Sequence, residues 1–201
     1  MTEVATRPAP TGFAAARKAM LDSQLRTSGV NEDFVLRRMG AVAREDFVPE
    51  SARSAAYVDR AIPLGDGRWL PAPLVQGSML AEAAPNGTEK ALIVDGGSGY
   101  LPELLRPLVA SLEVMSPEEA LGKSRKGDFD LVMVDGAVEH VPDTLAKRLA
   151  DGGLLVTGVV DRGVTRVAIG RKAGKGVALL PVKELGIPRL VEFDRPKGWS
   201  F

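Results

Sequence analysis

A short apolar run, Ala91-Leu-Ile-Val94, feeds directly into Asp95-Gly96-Gly97-Ser98-Gly99-Tyr100. A strand that ends in glycines and restarts as a helix is a cradle for an anion or a nucleotide. Its backbone N–H groups point at the ligand, and the missing Cβ atoms let the ligand come close. The turn lacks the Gly-x-Gly-x-x-Gly spacing, so a dinucleotide site is weakly supported, and it lacks the Lys-Ser/Thr ending of a P-loop. The plainer reading is a tight strand-to-helix turn in which glycine supplies a positive φ. Asp135 follows a second apolar run, Phe129-Asp-Leu-Val-Met-Val134. That places it at the carboxyl end of a strand, where open α/β sheets hold ligands, or makes it a plain turn residue. His140 is the only histidine. Its side chain is a common general base, but a surface or capping role is expected for it.

Composition narrows the chemistry further. The chain has no cysteine, which removes disulfides, Cys-ligated zinc, Fe–S clusters and thiol nucleophiles together. One histidine rules out a His-rich metal centre, so no metal site is expected. Lys+Arg is 26 and Asp+Glu is 26; that balance argues against bulk binding to nucleic acid or to a membrane surface. At 201 residues and 45% hydrophobic, the chain can fill a core of about one domain. Met1 to Thr11 lacks the apolar centre of a signal peptide, and no apolar run reaches the roughly 18 residues of a membrane span. A soluble cytoplasmic protein is the expectation.

The elements that would carry these residues fall into two blocks. Helix-favouring residues run from Phe13 to Leu25, stop at Gly29, and resume through Phe34, Val35, Leu36 and Met39. Ser51 to Tyr57 reads as a third short helix. Pro63, Gly65, Gly67, Pro71 and Pro73 mark a loop or hairpin, followed by a helix from Leu74 to Ala84. After Pro85-Asn86-Gly87 the pattern changes. Apolar strands at Ala91–Val94, Leu112–Met115, Phe129–Val134 and Gly153–Val160 alternate with helical stretches at Pro102–Leu105, Pro117–Lys123 and Pro142–Ala150. This alternation predicts βαβ units and a parallel sheet. Arg166–Gly170 and Val177–Val182, joined by a Gly-containing turn, predict a closing antiparallel pair. The expected organisation is a flexible segment 1–12, a helical cap with a loop over 13–84, and a Rossmann-like domain over 85–201.

Over residues 17 to 201 the chain resembles the protein-L-isoaspartate O-methyltransferase family. Met20 to Val48 is similar to that family's N-terminal helices. Tyr57-Val-Asp-Arg-Ala-Ile-Pro-Leu-Gly65 resembles the segment before its active-site loop. Gly97-Ser-Gly-Tyr100 matches the end of its cofactor loop, and Phe129 to Pro142 with Asp151-Gly-Gly-Leu-Leu-Val156 resembles its fourth and fifth strands. The tail from Ile187 onward resembles its C-terminal end. The resemblance implies a Rossmann-like class I methyltransferase fold and S-adenosylmethionine as cofactor. The implied reaction is methylation of isoaspartyl carboxylates in damaged proteins, which would be the partners. Asp95, Gly96, Gly97, Ser98, Gly99, Tyr100, Glu113, Met115 and Asp135 are the cofactor-side candidates on this reading.

Departures from the family pattern are concentrated at the site. The family's active-site loop reads Gly-Gln-Thr-Ile-Ser-Gln-Pro, whereas here it is Gly67-Arg-Trp-Leu-Pro-Ala-Pro73. Trp69 and Pro71 replace the two hydroxyl residues, and Ala72 replaces an amide before the retained Pro73. Holding a carboxylate in line with a methyl donor is a positioning task done by hydrogen bonds. Trp69 has a single donor and Pro71 none. Trp69 is expected to plug the emptied pocket. Asp95 stands where the first loop glycine would be, and Ile93 where an acid would precede it. Met115 takes the place of the ribose-binding acid, with Glu113 about 7 Å back on the same strand face. Between Tyr100 and Asp128 there is room for one strand but not for the family's third strand and its adenine-reading loop. Loss of an edge strand leaves no gap in a sheet. Pro107 is expected to cut the helix after the glycine loop to one turn, Pro102 to Arg106. Glu118, Glu119 and Lys123 read as a solvated helical face with an i, i+4 pair. Trp199 and Phe201 are expected to anchor the tail. Methyl transfer is expected to be lost or reduced. The alternative is a non-catalytic binding module or scaffold subunit on the same fold, and oligomeric state stays open.

Overall fold

The computed structural model describes residues 12–123 and 127–195. The expectations for the first eleven residues and for Trp199 and Phe201 lie outside the described residues.

Helix α1 (Phe13–Met20) runs on through a π turn (Leu21–Leu25) and a 3-10 turn (Arg26–Ser28) that stops at Gly29. Helix α2 (Asp33–Ala41) buries Val35, Leu36 and Met39, one turn apart along a single face. Two 3-10 turns follow, Arg44–Phe47 and Glu50–Ala55. The proline- and glycine-rich stretch is a hairpin of β1 (Ile62–Gly65) and β2 (Arg68–Leu70). Helix α3 (Pro73–Ala83) opens with Pro73 in its first turn, where a missing N–H costs nothing. Asp59 accepts from its Leu74 N–H at 3.2 Å. Nearly every residue of α3 is buried, because it lies between α2 on one side and the sheet on the other.

The second block builds the sheet. Its strands are β3 (Lys90–Val94), β4 (Ser111–Met115), β5 (Phe129–Val138), β6 (Leu149–Asp161), β7 (Val164–Ala173), β8 (Gly176–Val177) and β9 (Leu180–Glu184). Among the described residues the order is β4-β3-β5-β6-β7, with β8 and β9 both on the far side of β7. The pairs β4-β3, β3-β5 and β5-β6 are parallel, and β6-β7 is antiparallel. The α/β class and the closing antiparallel strands are therefore as the sequence predicts. Among the described residues β4 is the edge of the sheet, with no third strand beyond it.

Several boundaries differ from the sequence reading, each for a local reason. Helix α4 (Tyr100–Leu105) starts two residues early, directly on the glycine loop. Pro107 does not simply end it; the chain tightens into a 3-10 turn, Arg106–Leu108, which tolerates the missing donor. Helix α6 (Asp143–Ala146) is a single turn, because β6 begins at Leu149 and takes the residues expected to extend the helix. The strand expected at Val177–Val182 is split into β8 and β9.

Helix α5 (Pro117–Leu121) carries a capping box. Ser116 Oγ accepts from the Glu119 N–H at 3.2 Å, and Glu119 Oε2 accepts from the Ser116 N–H at 2.7 Å. Glu119 is thus committed to the cap and does not form the expected exposed pair with Lys123. Replacing Ser116 with alanine is expected to cost about 1 kcal/mol in urea unfolding. A loss below about 0.3 kcal/mol would show that the cap does not hold this connection.

Candidate functional site

The glycine loop spans Asp95 to Gly99, between β3 and α4. Buried β3 delivers it to the carboxyl end of the sheet, beside the end of β5. Two glycines are required by the backbone. A Cβ on Gly96 would fall 2.5 Å from the Asp135 carbonyl oxygen, and Gly97 has φ +105. Asp95 N–H donates to the Met115 carbonyl at 2.9 Å, which ties the loop to β4.

The loop amides are directed at a carboxylate of the same chain. Gly99 N–H donates to both oxygens of Asp95, each at 3.1 Å. Burial raises the affinity of Asp95 for its proton, while the loop N–H groups of Gly99, Gly97 and Ser98 pull the other way. Ser98 Oγ donates to Asp135 Oδ2 at 3.3 Å and accepts from the Tyr100 N–H at 3.2 Å.

Asp135 is the centre of a buried polar relay. Gln76 Nε2, from α3, donates to its two oxygens at 3.1 and 2.9 Å. Gln76 Oε1 accepts from Arg44 Nη1 at 2.7 Å. Arg44 is fully buried; its Nε donates to the Ala56 carbonyl at 2.8 Å, and its Nη2 donates to the Pro71 carbonyl. The guanidinium carbon lies 4.8 Å from the centre of the Tyr100 ring. The relay thus runs from Pro71 in the loop before α3 to Ser98 in the glycine loop. Burial first, and the Asp95 charge second, push the Asp135 carboxyl up to about 7. Gln76, Ser98 and Arg44 oppose that shift.

Asp95, Gly96, Gly97, Ser98, Gly99, Tyr100 and Asp135 are therefore brought together. Met115 adjoins them through its carbonyl. Glu113 is not brought to the loop: it is exposed and borders an open depression with Lys90, Asp128 and Arg148. Pro71 and Ala72 serve the relay and the start of α3. His140 keeps a structural role, its Nδ1 2.9 Å from the Phe193 carbonyl.

Trp69 does not plug the pocket. It is 41% exposed and borders a surface depression with Thr165, Ile187 and Arg189. Alternation along β2 decides this, since Leu70 is buried and Arg68 and Leu70 share the inner face. The residue over the glycine loop is Arg68, whose stem would lie 3.1–3.3 Å from a Cβ on Gly97. Its Nη2 pairs with Glu118 at the start of α5 and with Glu192 at 2.9 Å. Sequence reasoning missed Arg44, Gln76, Arg68 and Glu192. The one available signal was Gln76, a long polar side chain set among Leu74, Val75, Met79 and Leu80 in α3.

A model of the Protein-L-isoaspartate(D-aspartate) O-methyltransferase family matches residues 15–120. The chain belongs to this family. It is 29% identical to protein-L-isoaspartate O-methyltransferase 1 of Rhodopseudomonas palustris, over 94% of this chain and 87% of that protein. It is 32% identical to the Methylorubrum populi protein-L-isoaspartate O-methyltransferase, over 71% and 78%. In three dimensions it matches a crystal structure described as the Plasmodium falciparum protein-L-isoaspartate O-methyltransferase in complex with S-adenosyl-L-homocysteine. That match has TM-score 0.65 and 16% identity, and it covers 90% of this chain and 99% of that one. A second protein-L-isoaspartate O-methyltransferase structure matches with TM-score 0.70 and 15% identity, over 87% and 65%. The Rossmann-like methyltransferase fold follows. S-adenosylmethionine is the cofactor that membership in the family implies.

Proposed function

We propose that this protein-L-isoaspartate O-methyltransferase family member has lost most of its capacity for methyl transfer to isoaspartyl carboxylates, and that it binds S-adenosylmethionine weakly. The observation that carries the reading is Asp95. Its carboxylate takes the Gly99 N–H, at 3.1 Å to each oxygen, so a loop amide that would face a ligand is already satisfied from within.

Other residues point the same way. Met115 offers no carboxylate to ribose hydroxyls, and β4 is the sheet edge among the described residues. Trp69 faces out to solvent rather than toward the loop. Pro71 has no side-chain donor, and its carbonyl is taken by Arg44. The donors that would position a substrate carboxylate in the family loop are absent here. The residues present are a poor fit for the cofactor, and no methyl-transfer step is assigned to them.

The test is incubation with S-adenosylmethionine labelled in its methyl group and an isoaspartyl peptide, beside an active family member. Turnover is expected at least about a thousandfold below that enzyme, equivalent to roughly 4 kcal/mol in the barrier. Turnover within tenfold of it would overturn the reading. Asp95→Gly, which frees the loop amide, is expected to tighten S-adenosyl-L-homocysteine binding at least about tenfold in calorimetry.

A further inference from the structure

We propose that Arg68 is an autoinhibitory strap that holds the β1–β2 hairpin closed over the glycine loop, and that a ligand enters only when Arg68 lets go. The inference rests on the reading of a weakened cofactor site but concerns a different residue.

Three separated elements meet at this side chain. Arg68 comes from β2, Glu118 from the first turn of α5, and Glu192 from the 3-10 turn Val191–Phe193 near the end of the described chain. Its stem crosses Gly97 in contact, and its guanidinium bonds two carboxylates directly; its charge also favours the ionised form of Asp95. Gly97 has room for this stem because it has no Cβ; the space a ligand would use beside the loop is filled by the chain itself.

The contact is built to be reversible. Arg68 retains 26% of its side-chain exposure and Glu118 retains 59%, so water competes for both. The exposed Arg68–Glu118 pair alone contributes little net stability, so most of the hold falls to Glu192. Glu192 is held more firmly: it is 16% exposed, and its Oε2 is buried with no hydrogen-bond partner among the described residues. A buried, half-satisfied carboxylate beside a part-exposed arginine is a fixed anchor facing a movable strap. β2 itself is short and pairs only with β1 among the described residues, so the turn end of the hairpin, Gly65 to Arg68, can lift while Ile62 and Leu70 stay in the core at its base.

The experiment compares wild type, Arg68→Ala and the double variant Glu118→Gln/Glu192→Gln. S-adenosyl-L-homocysteine is titrated by calorimetry, and amide exchange is followed over residues 62–70. Both variants are expected to bind about tenfold more tightly than wild type, equivalent to roughly 1.4 kcal/mol, and to exchange faster in the hairpin. The double variant leaves Arg68 in place, so it decides the matter if Arg68→Ala fails to fold. Equal affinities in wild type and a folded strap variant overturn the strap, whatever that affinity is. Low-micromolar binding by wild type overturns the weakened-cofactor reading instead, whatever the variants do.

Discussion

Replacing Arg44 with alanine is expected to destabilise the protein by about 3–5 kcal/mol, the range for removing one partner from a buried charged network. Arg44 has no exposed surface. Its loss leaves Gln76 Oε1 and the carbonyls of Ala56 and Pro71 without their donor, all in the interior. Each stranded acceptor carries a desolvation cost. The positive charge that helps Asp135 to ionise disappears as well. The truncated stem also opens a cavity beneath Tyr100, and the guanidinium–ring contact at 4.8 Å is lost. Urea unfolding with an unchanged slope measures the effect. A loss below about 1 kcal/mol would mean that water replaces the guanidinium, and that the relay is not a closed one.

The second large effect is a pH dependence centred on Asp135. Its carboxyl titrates near about 7 in the folded chain, against about 4 in an unfolded one. Between these values the folded state holds a proton that the unfolded state has released. Stability therefore falls as pH rises from about 4 to about 7, and the group adds no further slope above that. The difference is on the order of 4 kcal/mol for this fully buried group. Asp95, the nearest like charge, is raised by burial too and acts in the same direction. Wild type is thus expected to melt higher at pH 5 than at pH 8. Asp135→Asn, which keeps an acceptor for Gln76 and cannot ionise, is expected to remove most of that difference and to raise stability at pH 8. A pH profile identical in wild type and variant would show that Asp135 is ionised throughout.

The centre of the sheet was legible because β3 and β5 are buried runs. Ala91–Val94 and Phe129–Val134 read as strands without help from any partner. The hairpin and α3 were legible from proline and glycine, whose backbone limits are local. The glycine loop and Asp135 came from the same kind of evidence, a strand end followed by a turn. What the sequence did not reveal depends on distant contacts. Arg44 and Gln76 are polar residues in helical segments, where exposure is the ordinary expectation, and only the packing of the Arg44–Phe47 turn against α3 makes them meet. Beside Trp69, the larger and more apolar side chain, Arg68 carries no signal in the sequence of an inward position. The two-residue period of β2 then reverses their roles, with arginine inward and tryptophan outward. Glu192 lies far along the chain from Arg68, and nothing in the residues between them signals the pair.

The edge that β4 forms among the described residues has a consequence for how copies of this chain behave at high concentration. Met115 turns its carbonyl toward β3, so by the alternation of a parallel ladder Leu112 and Val114 turn their backbone groups outward. Such an edge is a template for another strand. Val114 is exposed there, which adds to the attraction. Yet the antiparallel register that pairs all five residues with a second copy sets Glu113 opposite Glu113, and like charges directly opposed are destabilising. Glu113, which plays no part at the glycine loop, thus sets like charges against each other in that register, from the middle of the strand that forms the sheet edge among the described residues.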